Sequence, residues 1–209
     1  MTSTPLRSRA SREERVEERR EQLAQSALAT LGELGYARTS LREIAQNSEF
    51  THGVVHYYFA DKVDLITHCV KQYKAVCVTR YDQIVADATT APGLISGFAA
   101  GLSATLVEEA PLHRLWYDLR NQSMFESSYR ADVAEIDASL RNMIWRIVTR
   151  YAQLSGRTAE VGPDEAYAVF DGLFQHALWQ HLAGNVQADG AMEDGVAKLL
   201  PRLMAATPV

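Results

Sequence analysis

Gly35-Tyr36-Ala37-Arg38-Thr39-Ser40-Leu41-Arg42-Glu43-Ile44-Ala45, continued through Gln46-Asn47-Ser48-Glu49-Phe50 to Thr51-His52-Gly53-Val54-Val55-His56-Tyr57-Tyr58-Phe59, decides the fold. Ser40-x-x-Glu43 is a capping box that opens a short helix with Leu41, Ile44 and Ala45 on its buried side. A turn around Ser48 to Phe50 follows, and Thr51 caps another short helix that runs to Phe59. Val54, Val55, Tyr58 and Phe59 are spaced to face inward. Upstream, Ser11 to Leu34 is charged at first. It then carries one apolar stripe, Leu23, Ala24, Ala27, Leu28 and Leu31, before Gly35 stops it. Downstream, Asp61 caps a fourth helix expected from Lys62 to about Asp87, with Leu65, Ile66, Cys69, Val70 and Tyr73 inside. Two short helices joined by a tight turn and propped by a long one make a helix-turn-helix, whose second short helix enters the DNA major groove.

The rest of the chain is helical in pattern, at about 92–108, 111–125, 129–154, 163–184 and 190–205. Pro111, the stretch from Gly156 to Pro163 and that from Gly184 to Gly190 separate these segments, and Pro201 should bend or end the last near Leu200. No alternating strand-like run appears. The expectation is an all-α chain of about nine helices: a flexible basic arm at 1–11, a helix-turn-helix domain at 12–62, and a helical ligand-binding and dimerisation domain at 63–209.

The 209 residues are 47% hydrophobic and 22% charged, which excludes a mostly disordered or collagen-like chain. No run of about 18 apolar residues exists to span a membrane, and Pro5 to Arg20 lacks a secretory apolar core. Cys69 and Cys77 stand eight residues apart on one expected helix, about 12 Å along its axis and too far for a disulfide. Two unpaired cysteines point to a reduced, cytoplasmic setting. The net charge of −5 argues against nucleic acid until the chain is divided. Residues 1–62 balance nine basic against nine acidic residues, so the whole deficit lies behind them, and three arginines precede the first acid. Phosphate responds to local charge, and a neutral front with a basic arm permits DNA binding there.

The order Gly35-Tyr36-x-x-Thr39-Ser40-Leu41-Arg42-Glu43-Ile44-Ala45, then Gly53 to Phe59, Asp61, Lys62 and Leu65, resembles the TetR family of transcriptional repressors over roughly residues 20–66. The resemblance implies a ligand-responsive, dimeric repressor with a helical C-terminal part. Gly53 lets backbone approach DNA. Thr51, His52, Val54 and His56 are placed to reach base edges and phosphates: Val54 a thymine methyl, the histidines a base or phosphate. Arg42 matches a family position that contacts DNA. Thr39, Ser40, Tyr57 and Lys62 suit phosphate anchoring, Lys62 helped by its place at a helix N-terminus. Thr39 and Ser40 serve equally as helix caps, and Tyr58 and Phe59 read as core. Two positions depart from the family pattern. Glu49 stands where glycine is common and must accept strain of about 1 kcal/mol or another turn geometry. His56 replaces a commoner tyrosine.

A single reading helix makes few base contacts, so a pseudo-palindromic double-stranded operator read by a homodimer is expected. Phe170, Leu173, Phe174, Ala177 and His181, with Leu199 and Leu203 from the last helix, are the expected dimer seam, with ordinary monomer core as the alternative. Aromatic and polar residues mix most densely around His113, Trp116, Arg120, Asn121, Met124 and Phe125, facing Trp145, and with Phe174 these give the expected small-molecule site. Trp116 also follows plain core spacing. A buried Arg120 guanidinium would call for an anionic partner, hence a carboxylate-bearing or polar aromatic effector. No catalytic residue, metal or cofactor is expected: the chain lacks the serine-elbow, phosphate-loop, dinucleotide and zinc-protease motifs, and its six histidines show no strong metal spacing. The rival reading is an architectural or activator DNA-binding protein without small-molecule sensing.

Overall fold

The computed structural model describes residues 5–206, with side chains for 14–35 and 37–206. Its α-helices are α1 (Pro5–Arg38), α2 (Leu41–Gln46), α3 (His52–Tyr58), α4 (Lys62–Cys77), α5 (Asp82–Asp87), α6 (Ala91–Glu108), α7 (Ala110–Gln122), α8 (Arg130–Ser155), α9 (Pro163–Leu182) and α10 (Ala188–Leu199). Short 3-10 turns occupy Ser127–Tyr129 and Leu200–Leu203, and the one extended pairing among the described residues is a bridge between Ala159 and Met204. Among the described residues no helix is long and apolar enough to cross a membrane. Residues 1–4 of the expected arm lie outside the described residues. From Pro5 the backbone is already helical, so residue 12 marks no change of conformation.

Two compact units emerge, residues 1–73 with 114–133, and residues 74–113 with 134–209. Thus 114–133, expected with the rear domain, is grouped with the front one. In the first unit α1, α2 and α3 pack together over Leu23, Ala24, Ala27, Leu31, Leu41, Ile44, Phe50, Val55 and Phe59, all buried. Gly35 takes φ 74°, ψ 172°, a left-handed φ that interrupts α1 where the sequence asks for a stop. The carbonyls left open there have partners: Arg114 donates to Gly32 O at 2.6 Å and Glu33 O at 3.1 Å, and Thr39 Oγ1 donates to Gly35 O at 2.8 Å.

The second unit packs α6, α9 and α10 against one another. The long fourth helix of the sequence reading is instead two, parted by a turn at 78–81. Tertiary bonds overrule local propensity there. Arg80 donates to both Glu109 carboxylate oxygens, at 2.7 and 2.9 Å, and to Thr105 Oγ1 at 2.8 Å, while the buried Tyr81 hydroxyl lies 3.3 Å from the same Thr105. The Tyr81 ring lies so close to Gly101 that a Cβ there would meet it at 3.0 Å. Pro201 acts as expected: α10 ends at Leu199 and the chain turns 3-10. Arg157 gathers the carbonyls of Pro201, Met204 and Ala205 at 2.7–3.2 Å, fixing the last described turn.

Candidate nucleic-acid interface

The turn between α2 and α3 is built from side chains. Ser40 Oγ accepts from Glu43 N at 3.2 Å while Glu43 Oε2 accepts from Ser40 N at 2.7 Å, the reciprocal box the spacing predicts. Ser48 Oγ accepts from Phe50 N at 3.2 Å, and Phe50 turns inward beneath the Arg19 guanidinium, which lies 4.5 Å from its ring centroid. No residue other than glycine takes a positive φ among the described residues. Glu49 therefore escapes strain through another turn geometry.

Thr51 Oγ1 caps α3 through Val54 N at 3.4 Å. Val55 and Phe59 are fully buried, Val54 and Tyr58 half-buried, and Thr51, His52, Gly53, His56 and Tyr57 exposed. Period 3.6 accounts for the division: one side of a short rod is anchored and the other displayed. Tyr57 is 71% exposed, and a Cβ added at Gly53 would meet nothing within 4 Å, so the displayed side is open to a large partner. The His52 and His56 rings meet edge to face at 4.4 Å. Between α2 and α3 a shallow groove of about 390 Å³ is lined by Arg42, Ala45, Gln46, Phe50, Thr51 and His52.

One expected phosphate contact is corrected. Thr39 is only 3% exposed and its hydroxyl is committed to Gly35 O. Ser40 is exposed as expected, with its Oγ accepting and its amide donating in the capping box. Arg42 is exposed as expected. Lys62, the first residue of α4, is half-buried; partial burial lowers its ammonium below the ordinary lysine value and the Glu43 carboxylate opposes that.

Sequence spacing missed the residue that holds α3 in place. Arg20, on α1, donates to Tyr58 O at 2.9 Å and to Asp64 Oδ1 at 2.9 Å, and its guanidinium lies 4.5 Å from the Phe59 ring centroid. Its partners lie 38 to 44 residues away, beyond any helical period. His68 lies 5.6 Å from the Phe59 ring on another side.

The expected effector residues are divided. In the first unit Trp116 is buried and Arg120 half-buried, whereas Asn121 and Met124 are exposed, Met124 to 65%, because α7 ends beside them. In the second unit Trp145 is half-buried and Phe174 buried. Neither unit alone brings these six together. The second unit does bury a polar group: Lys74 Nζ lies 3.2 Å from His113 Nδ1, whose ring is 4.7 Å from that of Phe174. Burial pushes the Lys74 ammonium down to about 8, resisted by Cys77, Asp171 and Glu109. Burial first, then Lys74 and Arg80, push His113 well below its usual range.

The residues of the expected dimer seam divide by burial. Phe170, Phe174, Ala177 and Leu203 are buried within the chain, Phe170 with its ring 5.8 Å from that of Phe98, and Leu173, His181 and Leu199 are half-buried. The exposed face of α9 carries Gly172, Gln175, His176, Trp179 (63% exposed) and Leu182 (45% exposed).

A packed three-helix head that displays the leading turn of its second short helix has the helix-turn-helix arrangement. Residues 23–69 match the family model described as bacterial regulatory proteins, tetR family. The HTH-type transcriptional regulator BetI of Burkholderia thailandensis is 31% identical over 116 residues, 54% of this chain and 58% of that protein. BetI of Paraburkholderia phymatum is 30% identical over 118 residues, 54% of this chain and 59% of that protein. The chain thus spans under two thirds of the length of the curated relatives it matches. Among solved structures, a TetR transcription regulator from Haloarcula marismortui superposes with a TM-score of 0.73 at 15% identity, covering 90% of this chain and 100% of that one. The regulator FadR from Bacillus subtilis in complex with stearoyl-CoA gives 0.70 at 18% identity, covering 86% and 96%. These likenesses show that the fold extends through the C-terminal helices.

Replacing Arg20 by Met keeps apolar contact with Phe59 but deprives Tyr58 O and Asp64 of their donor. A loss of about 2 kcal/mol in urea unfolding is expected, and unchanged stability would refute the clamp. Burial, reinforced by Arg20, holds the His68 imidazole below its ordinary value against Glu17, Asp64 and Glu21. The unfolded chain therefore takes up this proton more readily, so the contribution is complete above about pH 6.5 and lost as pH falls toward the folded value. The urea midpoint should drop between pH 7.5 and 5.5 more in the unaltered protein than in His68→Gln; parallel profiles would remove His68 from the account.

Proposed function

We propose that the chain is a ligand-responsive transcription regulator. It reads a pseudo-palindromic operator as a homodimer through α3 and is released when a small molecule binds its C-terminal part. The observation that carries this reading is the displayed turn of α3, with His52, Gly53, His56 and Tyr57 outward while Val55 and Phe59 anchor it. In this reading Thr51, His52, Gly53, Val54 and His56 meet base edges and adjoining phosphates, and Arg42, Tyr57 and Lys62 hold the backbone. Ser40, also exposed, adds a backbone contact, and the expected role of Thr39 becomes structural.

Two copies must present their α3 helices about one helical turn of DNA apart. The face of α9 centred on Trp179 and Leu182 supplies an unpartnered apolar surface suited to a second copy. The stearoyl-CoA complex of the Bacillus subtilis neighbour supports a small-molecule effector as a use of this fold. In this chain the buried Lys74, His113 and Phe174 cluster offers polar groups in apolar surroundings, as effector sites require. An effector acts only through its different affinity for the DNA-competent and released states.

The deciding experiment is a mobility shift of the full chain on the DNA flanking its own coding region, with and without cell extract. Retention that the extract abolishes is expected; retention that no extract alters favours the architectural reading. Lys62→Ala should weaken binding to every sequence alike and lower the salt slope by about one, and an unchanged slope refutes its phosphate role. Trp179→Arg should shift the protein to a monomer in sedimentation; a persistent dimer would relocate the seam.

A further inference from the structure

His52 and His56 stand four residues apart on α3, a spacing that places both imidazoles on one helical face, as their 4.4 Å ring separation bears out. Reading the six histidines as scattered overlooked this pair. Both are exposed, the Thr51 cap and the buried Val55 and Phe59 hold the backbone between and around them, and Gly53 leaves the adjoining surface open. Two imidazoles bound to one ion at about 2.0–2.1 Å, with an angle between 90° and 110°, have ring centroids roughly 4.5–5.2 Å apart. The observed 4.4 Å separation lies at the short edge of that range.

We propose that His52 and His56 chelate a divalent ion of the zinc, copper and nickel class, and that the ion competes with DNA for the reading face of α3. Neutral imidazole nitrogens suit these ions, whereas magnesium and calcium require oxygen ligands. Among the described residues no group of three or more His, Cys, Asp or Glu side chains could hold a metal, so water completes the coordination and the ion exchanges readily. A bound ion occupies one nitrogen on each ring and sets its water shell where a base edge would lie. The competition rests on the proposed DNA-binding role; the chelation does not.

The test titrates the full-length protein with Zn²⁺ alone by calorimetry, beside His52→Asn, His56→Asn and the double variant, each checked for unchanged helicity. One ion per protomer is expected in the unaltered protein, with affinity lower by more than about tenfold in each variant. Equal binding by all four proteins, or no binding, overturns the site. On the flanking DNA fragment, Zn²⁺ should reduce retention about tenfold or more, EDTA should restore it, and Mg²⁺ should do neither. Zinc bound at the pair with retention unaltered overturns the competition. Absence of retention even without zinc overturns the DNA-binding reading and the competition with it, while the calorimetric arm still decides the chelation.

Discussion

A helix of seven residues does not hold itself together in water, where isolated helices shorter than about 12–15 residues are marginal. That α3 exists depends on what grips it from behind. Arg20 reaches from α1 to the Tyr58 carbonyl and the Asp64 carboxylate while lying over Phe59, and so joins the end of α3 to the start of α4. A planar guanidinium can make both hydrogen bonds and face a ring at once, which an ammonium cannot. The capped leading turn is then free to display its polar side.

The second unit is organised around a different constraint. Its interior contains a lysine and a histidine among aromatic and aliphatic side chains, and the Arg80–Glu109 ion pair is half-buried. Buried charge destabilises unless it is paired, and Arg80 is paired bidentately. Burial lowers the Lys74 ammonium to about 8. Such a cluster is a costly way to build a core, and the His113 ring in it lies 4.7 Å from that of Phe174.

The charge is divided along the chain: residues 1–62 are neutral and the whole −5 lies in residues 63–209.

Local chemistry in the chain determined much on its own. The Ser40 and Glu43 box, the Thr51 cap, the stop at Gly35, the end of α10 before Pro201 and the inward stripe of α1 all follow from interactions within four residues or from single-residue conformational rules. Tertiary structure decided the rest, because its partners lie tens of residues apart. Arg20 became a clamp, Arg80 and Tyr81 broke the expected fourth helix, and the Thr39 hydroxyl turned from solvent to Gly35. The broad apolar surface of α9 could not say which side α6 and α10 would cover. Only packing fixed Phe170 and Phe174 inward and left Trp179 outside, since periodicity marks which residues share a face and not which neighbour that face meets.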